Sequence, residues 1–529
     1  MKDCIENQAN KLNLNKIYPY AIVGILVLAL SIRLIGLNKG IWIDDQASIS
    51  MFSQKNVWQT FQELRKDTHP PLYFVLLHFW AKISNSDAFL RLPSVFFSVG
   101  TVLVVMRWIK LYSDLASLLA GFSFATLPIM LRYSHEIRGY SLLVFATALT
   151  FFFASRVIKE AEKNSVYIGL AFSLIIAVST HMIGIMLIAP IFIFLILSSR
   201  LENKKIHYIK IISIFIIVFI IFCFYYFLFL NPINAASKIS WLPSISLTSL
   251  SFTANYAFGA YLTLYYPNYI DPIVTFIIIT ILAALVVFGK SKKALPFLVA
   301  GIIYLLQIII YSSFKAPIFW FTTVLPVLVP LVGFTALQID AIRNKKIQRG
   351  FIGGFTILSL IFTGLWVTNE AWKPLEEFKQ VTELVKSKWH PNNLVVIYPS
   401  YIQGTISRYW PNLPAPGVVS VDSWELRENL NLALNVHPKV SSISLIVRVD
   451  ATVKNEVNFY NNILSSIESK TAKPLSIKIV LIIANGFKKT DIGSDTINKL
   501  LAIQASKFGH PLSYEDKGTY VSSEYKLWE

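Results

Sequence analysis

Two adjacent aspartates, Asp44 and Asp45, are the residues of this chain best placed to do chemistry, because they follow its first long hydrophobic run. A carboxylate at a membrane surface can act as a general base on a substrate whose reactive head lies among the lipid headgroups. Two neighbouring carboxylates repel each other, which can give them different roles. Asp is also frequent in solvated turns and at helix ends, so the pair alone leaves a structural interpretation open.

A second group of polar residues fills the short connection 134–140, Ser-His-Glu-Ile-Arg-Gly-Tyr, between two later hydrophobic runs. Glu136 is a candidate second acidic residue, and the planar guanidinium group of Arg138 could hold a lipid phosphate. His135 and Tyr140 are candidate substrate contacts in the same connection. A local Glu–Arg ion pair at a helix junction is the structural alternative, and such a pair contributes little to stability.

Three further polar residues, His69, His181 and Lys315, are expected on the same side of the membrane. His69 precedes two prolines, and it could contact a phosphate or the acceptor, or be a structural residue at the rigid start of a helix. His181 lies at a predicted hairpin tip. It could contact the substrate, or it could be a structural histidine whose hydrogen bonds are satisfied within the protein. Lys315 is the only cation in its predicted loop and could hold a phosphate or anchor the chain at the membrane interface.

Metal and nucleotide chemistry are weakly supported. Asp44, Glu136 and His181 are candidate ligands of a divalent ion, but no spacing in the sequence forces them together. The chain has no Walker loop, no dinucleotide-binding glycine fingerprint and no Asp-x-Asp motif. These absences argue against a nucleotide-activated donor, which an enzyme outside the cytoplasm could hardly obtain.

The elements that must position these residues are membrane helices. Hydrophobic residues make up 54% of the chain and charged residues 15%. Runs of about 20 apolar residues recur from Ile17 to Thr368 and predict about eleven membrane-spanning helices. The segment 69–80 is apolar but too short to span, so it is interpreted as an interfacial helix within an outer loop over 38–87.

The net charge of +18 comes from Lys and Arg in short connections between apolar runs, not from one patch. This is the pattern of cytoplasmic loops, and it argues against nucleic acid as a partner. It predicts an integral membrane protein with a cytoplasmic N-terminus and membrane lipids as its surroundings. The usage of Pro, Lys and Asn is typical of a prokaryotic protein, so we expect a prokaryotic inner or plasma membrane.

The composition changes near residue 370, where charged residues become frequent. We therefore divide the chain into a membrane domain, 1–369, and a soluble extracytoplasmic α/β domain, 370–529. The second domain contains a helical pattern and three β-type runs, at Leu375–Lys388, Leu394–Ile397, Ile443–Val449 and Ile477–Ile483.

Taken together, the motifs resemble the GT-C glycosyltransferases of the protein O-mannosyltransferase and aminoarabinose-transferase superfamily. The motifs that carry the resemblance are Ile43-Asp44-Asp45-Gln46-Ala47, His69-Pro70-Pro71-Leu72-Tyr73, Arg91-Leu92-Pro93-Ser94, the connection 134–140 and Thr180-His181. They cover roughly residues 17–200; the later spans fit in hydropathy only. One departure is Trp320-Phe321 after Pro317, where many members carry Arg-Tyr.

The resemblance implies a GT-C fold of about 11 to 13 membrane helices, with interfacial helices in the first outer loop. It also implies an inverting transfer from a polyprenyl-phosphate-linked sugar, hexose or pentose, to a protein, lipid or glycan acceptor. Asp44 would be the general base, Glu136 a second acidic residue, and Arg138 and Lys315 candidates for the lipid phosphate. A transporter or flippase of lipid-linked sugars, and a glycan polymerase or ligase, are the alternatives.

Overall fold

A computed structural model describes most of the chain. The described residues are 2–65, 67, 69–229, 244–258, 270–372, 376–412, 418–420, 433, 436, 439–449, 461, 464–465, 475–483, 494–508, 511, 513–516 and 520–527. The chain folds into two compact units: the first comprises Met1–Leu37 and Met51–Trp372, and the second comprises Asn38–Ser50 and Lys373–Glu529. A short segment of the first loop therefore belongs to the second unit.

Helices build the first unit, as the apolar runs predict. In chain order the helices up to residue 366 are α1 (Lys2–Leu34), α2 (Ile43–Phe52, mostly in the second unit), α3 (Val57–Leu64), α4 (Leu72–Trp80), α5 (Asp87–Lys110), α6 (Asp114–Thr126), α7 (Pro128–Ser134), α8 (Tyr140–Lys159), α9 (Asn164–Thr180), α10 (Ile188–Leu201), α11 (Tyr208–Phe229), α12 (Leu247–Phe258), α13 (Ile270–Gly289), α14 (Leu295–Phe314), α15 (Leu328–Asp340) and α16 (Lys345–Trp366).

Among the described residues, seven helical segments are long and apolar enough to cross a membrane, and the bent pair α6–α7 is an eighth if it forms one span. The seven are Ile17–Leu34, Asp87–Lys110, Tyr140–Lys159, Met182–Leu201, Tyr208–Leu228, Lys292–Phe314 and Lys345–Ala371. Three shorter apolar helices are Asn164–Thr180, Ile279–Gly289 and Leu325–Asp340.

An aromatic stack lies in the core of this unit. Trp108 of α5 is fully buried, and its ring centroid lies 5.3 Å from that of Phe151 and 5.1 Å from that of Phe297. Its indole N–H donates to Ser155 Oγ at 2.8 Å, so the one polar atom of the indole is satisfied. These contacts join α5, α8 and α14 into one packed body.

A break between α6 and α7 bends the chain by 55°. Pro128 causes it, because proline has no N–H to donate to the carbonyl four residues earlier. The guanidinium group of Arg33 donates to the freed carbonyls of Phe124, at 2.8 Å, and Ala125, at 2.9 Å. The Thr363 hydroxyl donates to the Thr126 carbonyl at 2.9 Å. Side chains thus supply the hydrogen bonds that these carbonyls need in an apolar environment.

The loop between α1 and α5 contains short helices, and one of them, α4, lies within the segment 69–80 that was predicted as an interfacial helix. In α3, the Asn56 side chain caps the first turn by accepting from the Gln59 N–H at 2.9 Å. Helix α4 starts after Pro71, and at 9 residues it is too short to span. Trp58 and Phe79 are 70% and 54% exposed. Such apolar surface on short helices fits an interfacial position.

The second unit is built on a six-stranded mixed sheet of order β2-β1-β3-β4-β6-β5. Its strands are β1 (Asn393–Tyr398), β2 (Val418–Ser420), β3 (Ser442–Val449), β4 (Leu475–Ile483), β5 (Ser513–Asp516) and β6 (Tyr520–Leu527). The first four are parallel to one another, and β6 pairs antiparallel with both β4 and β5. Its helices after residue 372 include α17 (Phe378–Ser387), α18 (Gln403–Tyr409) and α19 (Ser494–Phe508).

Candidate functional site

Five polar side chains of the first unit lie together, and we call them the Asp67 cluster: Asp67, His69, Arg138, Tyr140 and His181. His69 Nδ1 lies 3.3 Å from Asp67 Oδ2, and Arg138 Nη1 lies 3.9 Å from the same oxygen. The His69 ring centroid is 5.0 Å from that of His181 and 6.4 Å from that of Tyr140. Residues from three separate stretches of sequence thus form one group.

The helix ends bring these side chains together. His69 stands just before the Pro70-Pro71 start of α4, and Tyr140 is the first residue of α8. His181 follows the last residue of α9. Gly139 allows a close approach, because a Cβ there would lie 2.9 Å from Thr180 Cγ2. Ends of helices therefore hold the cluster.

His181 is held neutral by its surroundings. Burial lowers its pKa well below the ordinary value of 6.5, and the nearby His69 and Arg138 lower it further while Asp67 opposes them. Its Nδ1 accepts from the Ile183 N–H at 3.3 Å. A neutral ring that accepts at Nδ1 carries its proton on Nε2, so His181 presents an N–H donor.

The loop before Tyr140 is fixed by two residues of α5. Arg91 is buried and donates from Nε to the His135 carbonyl at 2.7 Å and from Nη1 to the Leu37 carbonyl at 3.0 Å. Ser94 Oγ donates to the Glu136 carbonyl at 2.7 Å. The Arg91-Leu92-Pro93-Ser94 motif is therefore the support of this loop, a role that its sequence alone did not reveal.

His135 and Glu136 lie in that loop but contact other partners. His135 is buried, and its Nε2 lies 2.8 Å from the carbonyl of Arg33. Glu136 is also buried, and its Oε1 lies 3.4 Å from Arg132 Nε, one helical turn earlier. The Arg132 guanidinium lies 5.9 Å from the ring centroid of Phe321. Glu136 thus pairs with a cation on α7.

The aspartate pair belongs to the second unit. Asp44 and Asp45 lie in the first turn of α2, where the helix dipole favours negative charge. Asp45 is fully buried and Asp44 half-buried. The hydroxyl of Ser48 donates to the Asp44 carbonyl at 3.1 Å, within the helix. The pair is therefore held by a short ordered helix.

Lys315 and the candidate metal ligands are the remaining predicted site residues. Lys315 follows the end of α14 and is exposed. Within the part of the chain that the structure describes, no three His, Cys, Asp or Glu side chains form a group that could hold a metal ion. Glu136 and His181 therefore belong to no such group, and Asp44 lies in the other unit.

Asp67 is the member of the cluster that sequence reasoning missed. It stands two residues before His69, and no motif marked it. The feature that could have identified Asp67 from the sequence is its position, as a carboxylate close to His69 and the two prolines. That loop was interpreted only through its apolar residues. Of the predicted site residues, the structure brings together His69, Arg138, Tyr140 and His181.

The sequence and fold are similar to known proteins. Residues 68–225 match the family described as dolichyl-phosphate-mannose-protein mannosyltransferase. Crystal structures of ArnT from Cupriavidus metallidurans share 12% identity with this chain, over 95% of it and 97% of ArnT, with a TM-score of 0.53 in the apo state. With ArnT bound to undecaprenyl phosphate the TM-score is 0.51. The chain has the GT-C fold. No curated protein sequence matches it.

The GT-C resemblance seen in the motifs is thereby confirmed, as is the predicted fold class of a helical membrane region followed by a small α/β region. The matched family supports a membrane glycosyltransferase. The long apolar helices support an integral membrane protein. The Asp67 cluster lies in and directly before the matched segment 68–225.

Proposed function

We propose that this GT-C chain is an inverting glycosyltransferase that moves a sugar from a polyprenyl-phosphate carrier to an acceptor outside the cytoplasm. The observation that carries the proposal is the Asp67 cluster, where an arginine, two histidines and a tyrosine meet in a region matched by a mannosyltransferase family. The similarity of the fold to that of ArnT, which was crystallised with undecaprenyl phosphate, supports a lipid-phosphate donor.

The cluster offers the donors that a departing phosphate needs. Arg138 supplies a planar guanidinium group, and the neutral His181 supplies an Nε2–H. His69 and the Tyr140 hydroxyl add two further polar groups. Donors preorganised in a partly buried site stabilise negative charge as it develops, without a nucleotide-binding loop. Lys315 is the second candidate cation for the phosphate.

In the proposed step the acceptor oxygen or nitrogen attacks the anomeric carbon, and the bond between that carbon and the phosphate oxygen breaks. The polyprenyl phosphate leaves with the bonding electrons. Asp44 takes the proton of the nucleophile, and Asp45 or Glu136 is the second acidic residue. A single displacement inverts the configuration at the anomeric carbon.

Replacement of Asp44 by Asn tests the base. We expect transfer to fall by about 100-fold or more, because general base catalysis contributes at least that much. Purified protein in proteoliposomes would receive radiolabelled undecaprenyl-phosphate sugars and a membrane extract as the acceptor source. Asp114→Asn is the matched control, since Asp114 also lies in the first turn of a helix. Full transfer by Asp44→Asn would refute Asp44 as the base.

Replacement of Arg138 by Ala tests the phosphate site. We expect the KM for the lipid donor to rise by about tenfold or more, the effect of losing a hydrogen bond to a charged group. Arg156→Ala is the control, because Arg156 also contacts a carboxylate, that of Glu160 at 2.8 Å, but at the other end of α8. An unchanged KM in Arg138→Ala would contradict the assignment.

The same proteoliposomes distinguish an enzyme from a flippase. A glycosyltransferase removes label from the carrier and leaves free polyprenyl phosphate. If the carrier instead crosses the bilayer with its sugar attached, and no label reaches an acceptor, the proposed function is wrong.

A further inference from the structure

The segment that carries the aspartate pair is docked on the α/β unit of which it is a part. Ile41 is fully buried, and its N–H donates to the Tyr409 hydroxyl at 2.8 Å. Ile43 packs against the hydrophobic cluster formed by residues of β1, β3, β4, α17 and α18. The segment 38–50 is therefore held by residues that lie more than 300 positions later in the chain.

A contact between two helices adds to this docking. Gly404 lies in α18, and a Cβ built on it would lie 3.4 Å from Gln46 Nε2. Gln46 directly follows Asp45 in the first turns of α2. The helix with the aspartates thus rests against the helix that ends at Tyr409.

Helix α18 is itself firmly anchored. It follows β1, which lies inside the sheet between β2 and β3, after one turn of 3₁₀ helix. Ile402 and Ile406 are fully buried in the same hydrophobic cluster as Ile43. Tyr409 is therefore the last residue of a connection that packs on the sheet and reaches the aspartate segment.

We propose that Tyr409 is a positioning residue for the Asp44–Asp45 pair, and that the C-terminal α/β unit is the scaffold that holds the candidate base. The inference rests on the proposed function, in which Asp44 is that base. A buried backbone N–H requires an acceptor, and Tyr409 provides one three residues before Asp44. A base acts only within hydrogen-bond reach of the proton it takes, so a displaced first turn of α2 would lower kcat.

The test compares two Tyr→Phe variants of the full-length protein. Tyr409→Phe removes the acceptor of the Ile41 N–H. Tyr401→Phe is the matched control in the same unit, because its hydroxyl accepts from Arg448 at 2.9 Å. For each variant, hydrogen exchange of the peptide 38–50 is measured by mass spectrometry, along with kcat and the KM for the lipid donor.

We expect Tyr409→Phe to raise exchange of the peptide 38–50 by about tenfold and to lower kcat by about tenfold, with the KM changed less than about twofold. Tyr401→Phe should change neither. A purely structural tyrosine would not lower kcat selectively while leaving the KM and the rest of the exchange map unchanged.

A second variant tests the contact between α2 and α18 at a different residue. Gly404→Leu should crowd Gln46 and produce the same selective fall in kcat with the Tyr409 hydroxyl intact. If both variants keep the parent's exchange and kcat, or if Tyr401→Phe shows the same losses, the inference is wrong.

The outcome also separates the inference from the proposed function. An inactive Asp44→Asn with a fully active Tyr409→Phe would overturn the positioning role and leave the function in place. Full transfer by Asp44→Asn would overturn the positioning role together with Asp44 as the base, whereas a parent protein that transfers no sugar would overturn the proposed function.

Discussion

His181 shows how the surroundings of one side chain decide what it can offer a substrate. A protonated imidazole would add positive charge beside Arg138 and His69. Burial and these two neighbours instead lower the pKa of His181 well below its ordinary value. The ring is then neutral at physiological pH, with Nδ1 engaged by the Ile183 N–H. We infer that it acts in the cluster as a directional donor and not as a charge.

This neutral state predicts an acid-sensitive stability. Because the folded pKa of His181 is lowered, the unfolded chain binds a proton first as the pH falls below about 6.5. The stability that the neutral ring contributes is therefore complete above that pH and is lost as the pH falls through the folded pKa. His181→Gln removes the group and should make the fall in Tm between about pH 7.5 and about pH 5.5 smaller by roughly a few degrees.

Thermal unfolding in detergent at the two pH values measures this difference. His207→Gln is the control, since His207 is exposed near the end of another loop. An equal pH dependence of Tm in His181→Gln and in the parent protein would show that the ring is not held neutral.

At the level of elements, the break between α6 and α7 orients the candidate site. Helix α7 carries Arg132 and leads directly into the loop with Glu136 and Arg138. A straight helix through Pro128 would send that loop in another direction. The buried guanidinium group of Arg33 stabilises the bend in an apolar environment, because it donates to carbonyls that the break leaves without helical donors.

Arg33→Leu should therefore destabilise the first unit. Two carbonyls would lose their donor, each at a cost of about 1–3 kcal/mol when buried. We expect Tm in detergent to fall by several degrees, and by less in Arg33→Lys, which keeps the charge but lacks the planar fork. Arg107→Leu, an exposed arginine in the last turn of α5, is the control. Equal Tm values for Arg33→Leu and Arg107→Leu would contradict the role of the guanidinium.

The strands show which elements a sequence can reveal. Buried parallel strands are continuous apolar runs, so β1, β3 and β4 were predicted close to their observed bounds. Strand β6 was missed, because it contains Ser522, Ser523 and Glu524 and carries no apolar run. Ser522 and Ser523 are nevertheless buried, since pairing with β4 and β5 satisfies its backbone. Such pairing depends on distant strands and leaves little trace in the local pattern.

At the level of the whole molecule, hydropathy locates the membrane helices but cannot assign a loop to a unit. The segment with Asp44 follows α1 directly, and from the sequence it was interpreted as part of an outer loop along the membrane. Its partners, the half-buried Tyr409 and the buried cluster around Ile406, come from more than 300 positions later in the chain. Contacts between such distant positions have no signature in composition, which is also why Asp67 was not recognised beside Arg138 and His181.

The orientation of the chain in the membrane is the remaining whole-molecule prediction. Positive charge in the connections predicts that Lys163, between α8 and α9, faces the cytoplasm and that Lys386 of α17 lies outside it. Both side chains are exposed, so cysteines there should react with a maleimide. With Cys4 and Cys223 replaced by Ser, a membrane-impermeant maleimide should label Lys386→Cys in intact cells, and Lys163→Cys only after permeabilisation. The reverse pattern would place the α/β unit, and Asp44 with it, in the cytoplasm. Asp44 could then not act as the base for a polyprenyl-linked donor that is used outside the cytoplasm.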